Sequence, residues 1–240
     1  MIILFTDFGL EGPYTGQVQA LLYQQAPGVP VVNLFSDLAP FDIQAAAYLL
    51  PAYTSGFPPG SVFLCVVDPG VGGARPGGVV RADGRWYVGP DEGLFAILTR
   101  RARHVECWEL PHPRNASRSF HGRDVFAPLA ARLARDGGFG AGPVATPPRA
   151  RPEWPDELYR VVYVDRYGNA ITGVRAAAAG DAATLTVNGH ALPYAVTFAC
   201  AGASTAFWYE NSSGLVEIAV NRGRADQLLG IAVGTPFELA

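Results

Sequence analysis

The stretch Val62-Phe-Leu-Cys-Val-Val-Asp-Pro-Gly-Val-Gly-Gly-Ala-Arg75 reads as an apolar strand that ends on an aspartate and opens into a glycine-rich turn. The same form occurs three more times in the first ninety residues: Ile2–Thr6 before Asp7, Val29–Phe35 before Asp37, and Trp86–Gly89 before Asp91. Helical stretches lie between and after them. Gly16–Gln25 ends before Pro27, Ile43–Tyr53 has Asp42 as its cap, and Val125–Asp136 is opened by Asp124 and stopped by Gly137-Gly138. Strands alternating with helices imply an α/β domain with a mostly parallel sheet over residues 1–142. Such sheets bind ligands at the carboxyl ends of their strands, so the aspartates assemble a polar edge there.

Composition then shifts. Gly140–Pro155 carries five prolines and little apolar periodicity, which marks residues 143–157 as a linker. Beyond it the helical pattern all but vanishes. Leu158–Val164, Ala170–Val174, Thr184–Val187, Val196–Phe198, Leu215–Val220 and Pro236–Leu239 read as short strands separated by Gly, Asn and Asp turns. Residues 158–240 are thus expected to form a small all-β, barrel-like C-terminal domain.

With 240 residues, 49% hydrophobic and 16% charged, the chain can bury one large core or two smaller ones. A net charge of −3, with no lysine and no arginine-rich run, argues against nucleic acid and anionic membranes, whose phosphates require a basic footprint. No apolar stretch approaches the roughly 20 residues of a membrane span, and the chain enters a strand at once without a signal-like segment. A cytoplasmic protein acting on small molecules is the expectation. Cys65, Cys107 and Cys200 have no CxxC spacing, so neither a disulfide framework nor a zinc knuckle is implied.

The third strand end is the richest in chemistry. Asp68 and Arg75 flank the glycine turn, and Ser119-Phe-His-Gly-Arg-Asp124 supplies a histidine among polar and flexible residues, so Asp68, Arg75 and His121 are the candidate reaction centre. Gly70-Val-Gly-Gly73 is not a dinucleotide cradle, because the third glycine position of the fingerprint is Arg75 and another strand follows where a helix is required. No GxSxG elbow is present, which makes Ser119 a hydrogen-bonding neighbour of His121 rather than a nucleophile. Metal catalysis is not expected, since the histidines lack HxH or HExxH spacing. His104, His112 and His190 read as surface or turn residues, and Trp86, Trp108, Trp154 and Trp208 as core or interface aromatics.

Taken in order, Thr6-Asp-Phe-Gly9 with Tyr14 and Gly16, Asp68-Pro-Gly-Val-Gly72 with Arg75, Gly89-Pro-Asp91, Phe120-His-Gly-Arg-Asp-Val-Phe-Ala-Pro128, Tyr167-Gly-Asn169 and Glu210-Asn-Ser-Ser-Gly-Leu-Val-Glu-Ile-Ala-Val-Asn221 resemble the S-adenosyl-L-methionine (SAM) hydroxide adenosyltransferases, relatives of the SAM-dependent fluorinase and chlorinase. The resemblance runs over nearly the whole chain. It implies hydrolysis of SAM by water or hydroxide at C5′, giving adenosine and L-methionine, with no cofactor and no metal. It also implies a homotrimer whose sites form between the N-terminal domain of one chain and the C-terminal domain of the next.

By the same resemblance Asp68, Arg75 and His121 activate the water, and which of Asp68 and His121 takes the proton stays open. Asp7 accepts the ribose hydroxyls, and Phe8 and Tyr167 pack on adenosine. Asp165 and Asn169 make the methionine-amine and adenine-side contacts, while Ser212, Glu217 and the backbone near Val220 hold amino acid and adenine. The chain departs from the family pattern at Asn33 and Ser36, at Glu92 and at Gly173. Halogenases lack the histidine matching His121, so His121-Gly122 points to hydrolysis. The alternatives are a SAM-dependent halogenase and a non-catalytic SAM- or adenosine-binding protein.

Overall fold

The computed structural model describes residues 1–111, 116–180 and 184–240, which form two compact units, Met1–Arg151 and Pro152–Ala240. The first unit runs β1 (Ile2–Thr6), α1 (Tyr14–Gln25), β2 (Val31–Phe35), α2 (Ile43–Thr54), β3 (Val62–Val66), β4 (Gly77–Ala82), β5 (Arg85–Pro90), α3 (Ala96–Arg101), β6 (Val105–Leu110), α4 (Ala127–Asp136) and β7 (Val144–Ala145). Its seven strands make one sheet in the order β2-β1-β3-β5-β4-β6-β7. β1 pairs in parallel with β2 and β3, and β3 in parallel with β5. On the far side β4, β6 and β7 join through antiparallel pairs. The switch is made by Asp83-Gly84, where both residues take positive φ. That two-residue turn matches the twist of a hairpin and returns the chain antiparallel.

Both faces of the parallel half are covered. α1 and α4 bury Val18, Leu22, Ala130 and Leu133 against Ile2, Leu4, Leu64 and Val66. On the opposite face α2 meets the sheet through Tyr53 on Phe35 and through Thr54, whose hydroxyl lies 3.1 Å from that of Tyr87. Asp42 caps α2 as expected, its side chain accepting from Ala45 N at 2.9 Å. The expected start of the third helix is corrected. α4 begins at Ala127, behind a π-helical turn over Gly122–Phe126. Asp124 is inside that turn and bonds Ser117 N instead of capping a helix. Gly137, at φ 72°, stops α4 as expected. The short helix α3 had no counterpart in the sequence reading.

Residues 143–151 of the proline-rich segment lie within the first unit. Val144 and Ala145 extend the sheet against β6, Arg149 Nη2 reaches Glu109 at 2.6 Å, and Arg151 Nη2 donates to Glu92 O at 2.6 Å.

The second unit contains β8 (Leu158–Val164), β9 (Ala170–Arg175), α5 (Ala176–Ala179), β10 (Leu185–Val187), β11 (His190–Leu192), β12 (Ala206–Glu210), β13 (Leu215–Val220), α6 (Ala225–Leu228) and β14 (Glu238–Leu239). They form two antiparallel sheets, β12-β13-β9-β8 and β11-β10-β14, around a core that includes Val161, Val187, Trp208, Ile218 and Phe237. The expected strand at Val196–Phe198 is not one, because Phe198–Cys200 turns into a short 3₁₀ helix. The strand is Ala206–Glu210. Its aromatic run hides a period of two, with Trp208 in the core and Phe207 and Tyr209 packed on the other side.

Candidate active site

The glycine turn after β3 exists to bring Arg75 back onto Asp68. Main-chain bonds Val71 N to Asp68 O and Gly73 N to Gly70 O fold the turn tightly. Gly72 has φ 80°, and a side chain there would strike the Arg118 carbonyl oxygen. Only glycine lets this turn touch the segment leading to His121. Arg75 Nε donates to Asp68 Oδ1 at 2.7 Å, Nη2 reaches Asp68 Oδ2, and Nη2 lies 2.9 Å from His121 Nδ1. The guanidinium carbon sits 5.2 Å from the Phe126 ring centroid. The Arg75 side chain is 2% exposed and that of Asp68 7%. A guanidinium so buried needs its carboxylate, since removing one member of a buried pair costs about 3–5 kcal/mol. Arginine only donates, so the neutral imidazole accepts at Nδ1 and carries its hydrogen on Nε2.

Asp68 and His121, both bonded to the buried Arg75, line one side of a cavity of about 310 Å³ whose other walls are Asp7, Phe8, Tyr14, Pro40, Phe41, Val66, Val71, Ser119, Phe120 and Gly122. Phe8, Tyr14 and Phe120 pack mutually, with ring centroids 5.3–6.2 Å apart. Asp7 Oδ2 accepts from Phe41 N at 3.1 Å. Burial raises the Asp7 carboxyl above its usual range, with the nearby Asp68 carboxylate adding to the rise and the Phe41 N–H opposing it. A mostly apolar box with two carboxylates on its wall suits a nucleoside, whose rings pack and whose hydroxyls donate. The structure therefore brings together Asp7, Phe8, Asp68, Arg75 and His121. Phe41 was missed, and the Asp42 cap immediately after it was its only signal.

Not every aspartate at the polar edge reaches the cavity. Asp37 lies two residues beyond β2 and is exposed. Asp91 is packed against Gly78 of β4, with Oδ2 3.6 Å from Arg149 Nε and Oδ1 without a hydrogen-bond partner. Burial pushes its carboxyl up to about 6, against the pull of Arg149 and Arg151 and with a push from Glu109.

In the second unit, Asp165 organises its own turn. It accepts from Tyr167 N at 2.9 Å, Asn169 N at 2.8 Å and Asn169 Nδ2 at 3.1 Å, leaving Tyr167 exposed at the tip. Glu217 on β13 is 5% exposed and accepts from the Tyr209 hydroxyl at 2.5 Å and Asn211 Nδ2 at 3.0 Å. Burial raises its carboxyl, the two hydrogen bonds lower it, and Asp165 raises it further. Ser212 is exposed on the turn before β13. Val220 points its side chain into the core, on the face opposite Glu217, so only its backbone is available to a ligand there. Tyr209 and Asn211 were missed; Tyr209 belongs to the strand whose alternation was obscured, and Asn211 directly follows its end. Among the described residues no group of three or more His, Cys, Asp or Glu is placed to hold a metal ion, and no helix is long and apolar enough to cross a membrane. His104 and His190 are exposed, and His112 lies outside the described residues.

Comparison with known proteins is consistent along the chain. Residues 2–141 match the family model for the SAM hydroxide adenosyltransferase N-terminal domain, and residues 159–238 the model for its C-terminal domain. A curated (R)-S-adenosyl-L-methionine hydrolase of Thermus thermophilus is 42% identical, covering 99% of this chain and 98% of that protein. One from Salinispora arenicola is 35% identical over 98% and 95%. The crystal structure of an uncharacterized conserved protein from Thermotoga maritima superposes with a TM-score of 0.88 at 28% identity, covering both chains completely.

Asp91 makes stability depend on pH with a definite sign. The folded chain holds a proton up to about pH 6, whereas the unfolded aspartate releases it near 3.8. Its burial cost is therefore absent below pH 3.8, grows as pH rises through 6 and is constant above that, at most about 3 kcal/mol. Asp91→Asn should raise the melting temperature at pH 7.5 and leave it unraised at pH 4, as read by thermal denaturation at both pH values.

Proposed function

The chain belongs to the SAM hydroxide adenosyltransferase family, and from that premise we propose that it hydrolyses SAM to adenosine and L-methionine on the water-activating group Asp68, Arg75 and His121. The observation that carries this reading is the Asp68–Arg75–His121 network, whose Asp68 and His121 line the cavity that Asp7 shares while the buried Arg75 holds both. SAM brings its own leaving group, a sulfonium that departs as a neutral thioether. The protein needs only to hold a water in line with the breaking bond and take its proton. The water oxygen forms the bond to C5′ as the C5′–S bond breaks and its electron pair passes to sulfur.

Arg75 cannot accept a proton, and the single acceptor lone pair of His121 Nδ1 is taken by Arg75, whereas each Asp68 oxygen keeps a lone pair beside its bond to Arg75. Asp68 is then the group that receives the water's proton, with Arg75 stabilising developing hydroxide and the Nε2–H of His121 fixing its direction. Asp7 accepts the ribose hydroxyls, and Phe8 packs against the adenosine. The names of the curated relatives specify the (R) configuration at sulfur, and we extend that preference to this chain. No halide is required, because His121 occupies the position where the resembling halogenases have none.

The substrate's remaining contacts are assigned to Asp165, Tyr167, Asn169, Ser212, Glu217 and the Val220 backbone of a neighbouring copy in a homotrimer. Support for this comes from the cavity mouth, where Tyr14, Phe41 and Val71 are exposed together. Apolar clusters of this kind on a soluble surface mark an interaction site.

With a mixture of both sulfur epimers, chromatography should detect adenosine and methionine, faster loss of the (R) form, and no effect of chelator or halide. A 5′-halogenated nucleoside as main product would reject hydrolysis. Co-assembly of an Arg75→Ala chain with an Asn169→Ala chain should restore part of the activity that each lacks alone. A fully active monomer in solution would reject the shared site.

A further inference from the structure

His121 stands one residue ahead of the π-helical turn Gly122–Phe126. Such turns are rare, interrupt the i→i−4 ladder of the α-helix, and occur often at functional sites. Something beyond the helical ladder must therefore keep this one in place. Part of the support is main-chain: the Phe120 carbonyl accepts from both Arg123 N, at 3.2 Å, and Asp124 N, at 3.1 Å. Part is steric, since a Cβ on Gly122 would lie 2.9 Å from Phe8 Cζ. The rest comes from two side chains that the chemistry described above does not use.

Asp124 reaches back across the turn, and its Oδ2 accepts from Ser117 N at 3.0 Å. The same carboxylate holds Arg123 through Nε at 2.6 Å and Nη2 at 3.1 Å. Arg123 then donates Nη1 to Gln17 Oε1 on α1, at 2.7 Å, and lays its guanidinium 5.1 Å from the Phe120 ring centroid. Two adjacent residues thus tie together the start of the loop, helix α1 and the aromatic wall of the cavity, with His121 between the points they fasten. A second Arg-Asp neighbour pair, Arg135–Asp136 at the end of α4, has the same two-pronged contact and is more exposed. It sits away from His121 and makes a natural control. The Arg123 guanidinium holds the Asp124 carboxyl below the usual carboxylate range, and the burial opposing this is slight.

The geometry points to Arg123 and Asp124 as positioning residues that hold the turn presenting the His121 ring to Arg75, an inference that rests on His121 belonging to the water-activating group. Displacements of about an ångström at a reacting centre are enough to cost up to about a hundredfold in rate. Asp124→Ala should therefore lower kcat by about tenfold or more while KM for SAM changes less than about twofold, and should shift the pH profile of kcat as the His121–Arg75 contact loosens. Asp124→Asn keeps an acceptor for Ser117 N and should recover part of the loss. Gln17→Met, at an exposed helix position, should cost about two- to fivefold in kcat with an unchanged melting temperature. This variant carries the test if Asp124→Ala does not fold. Asp136→Ala should leave kcat unchanged.

A folded Asp124→Ala enzyme with wild-type kcat and pH profile, alongside an inactive His121→Ala, would overturn the positioning role alone. So would a loss in melting temperature with no change in kcat, or wild-type kcat in Gln17→Met if Asp124→Ala does not fold. Full activity in His121→Ala would instead reject the reading of the site on which the role rests.

Discussion

The buried guanidinium of Arg75 is the constraint around which the first unit's chemistry is built. A cation with almost no access to water has to be matched by a carboxylate and given directed hydrogen bonds. Asp68 supplies the first, His121 the second, and the Phe126 ring covers the remaining face. Each partner comes from a different part of the chain: the end of β3, the residue ahead of the π turn, and the turn itself. Satisfying one charge therefore fixes the glycine turn and the histidine turn against each other. The close approach of Gly72 to the Arg118 carbonyl is the mark of how tightly they are drawn together.

The same economy separates the aspartates that end the strands. Asp7 and Asp68 face one cavity, where burial raises the Asp7 carboxyl and the Asp68 carboxylate adds a smaller push. Asp91, one strand further along, is buried beside β4, with Arg149 Nε 3.6 Å from its Oδ2. Its role is in the stability of the fold. In the second unit the carboxylates are satisfied by neutral donors: main-chain N–H groups and an amide for Asp165, a phenol and an amide for Glu217. Neutral donors of this kind satisfy the oxygens without supplying a compensating positive charge.

Much of this was legible in the sequence because it rests on local rules. Period and composition located β1, β2, β3 and β5, α1 and α2, the Asp42 cap and the Gly137 stop, since apolar spacing and capping chemistry act over a few residues. The DPGVG turn with Arg75, and the FHGRD segment, singled out three residues that the fold joins by hydrogen bonds, because their types carry their chemistry wherever they lie. The alternation of Phe207, Trp208 and Tyr209 was not legible, because all three are apolar enough to belong to either face.

What only the tertiary structure decided is which of these residues meet. His121 is 46 positions from Arg75, and no spacing rule relates them. The π turn arises because Gly122, Arg123 and Asp124 answer to Phe8, Gln17 and Ser117 as well as to their own helix, so the helix signal at Val125 predicted the wrong start. The antiparallel half of the sheet follows from a hairpin at Asp83-Gly84, a local signal whose effect on strand direction is felt only once β4 finds β5 and β6. Sequence determined the strands, their polar ends and the reactive residue types. The fold decided which ends share a cavity, because a buried charge is satisfied by whatever packing places beside it.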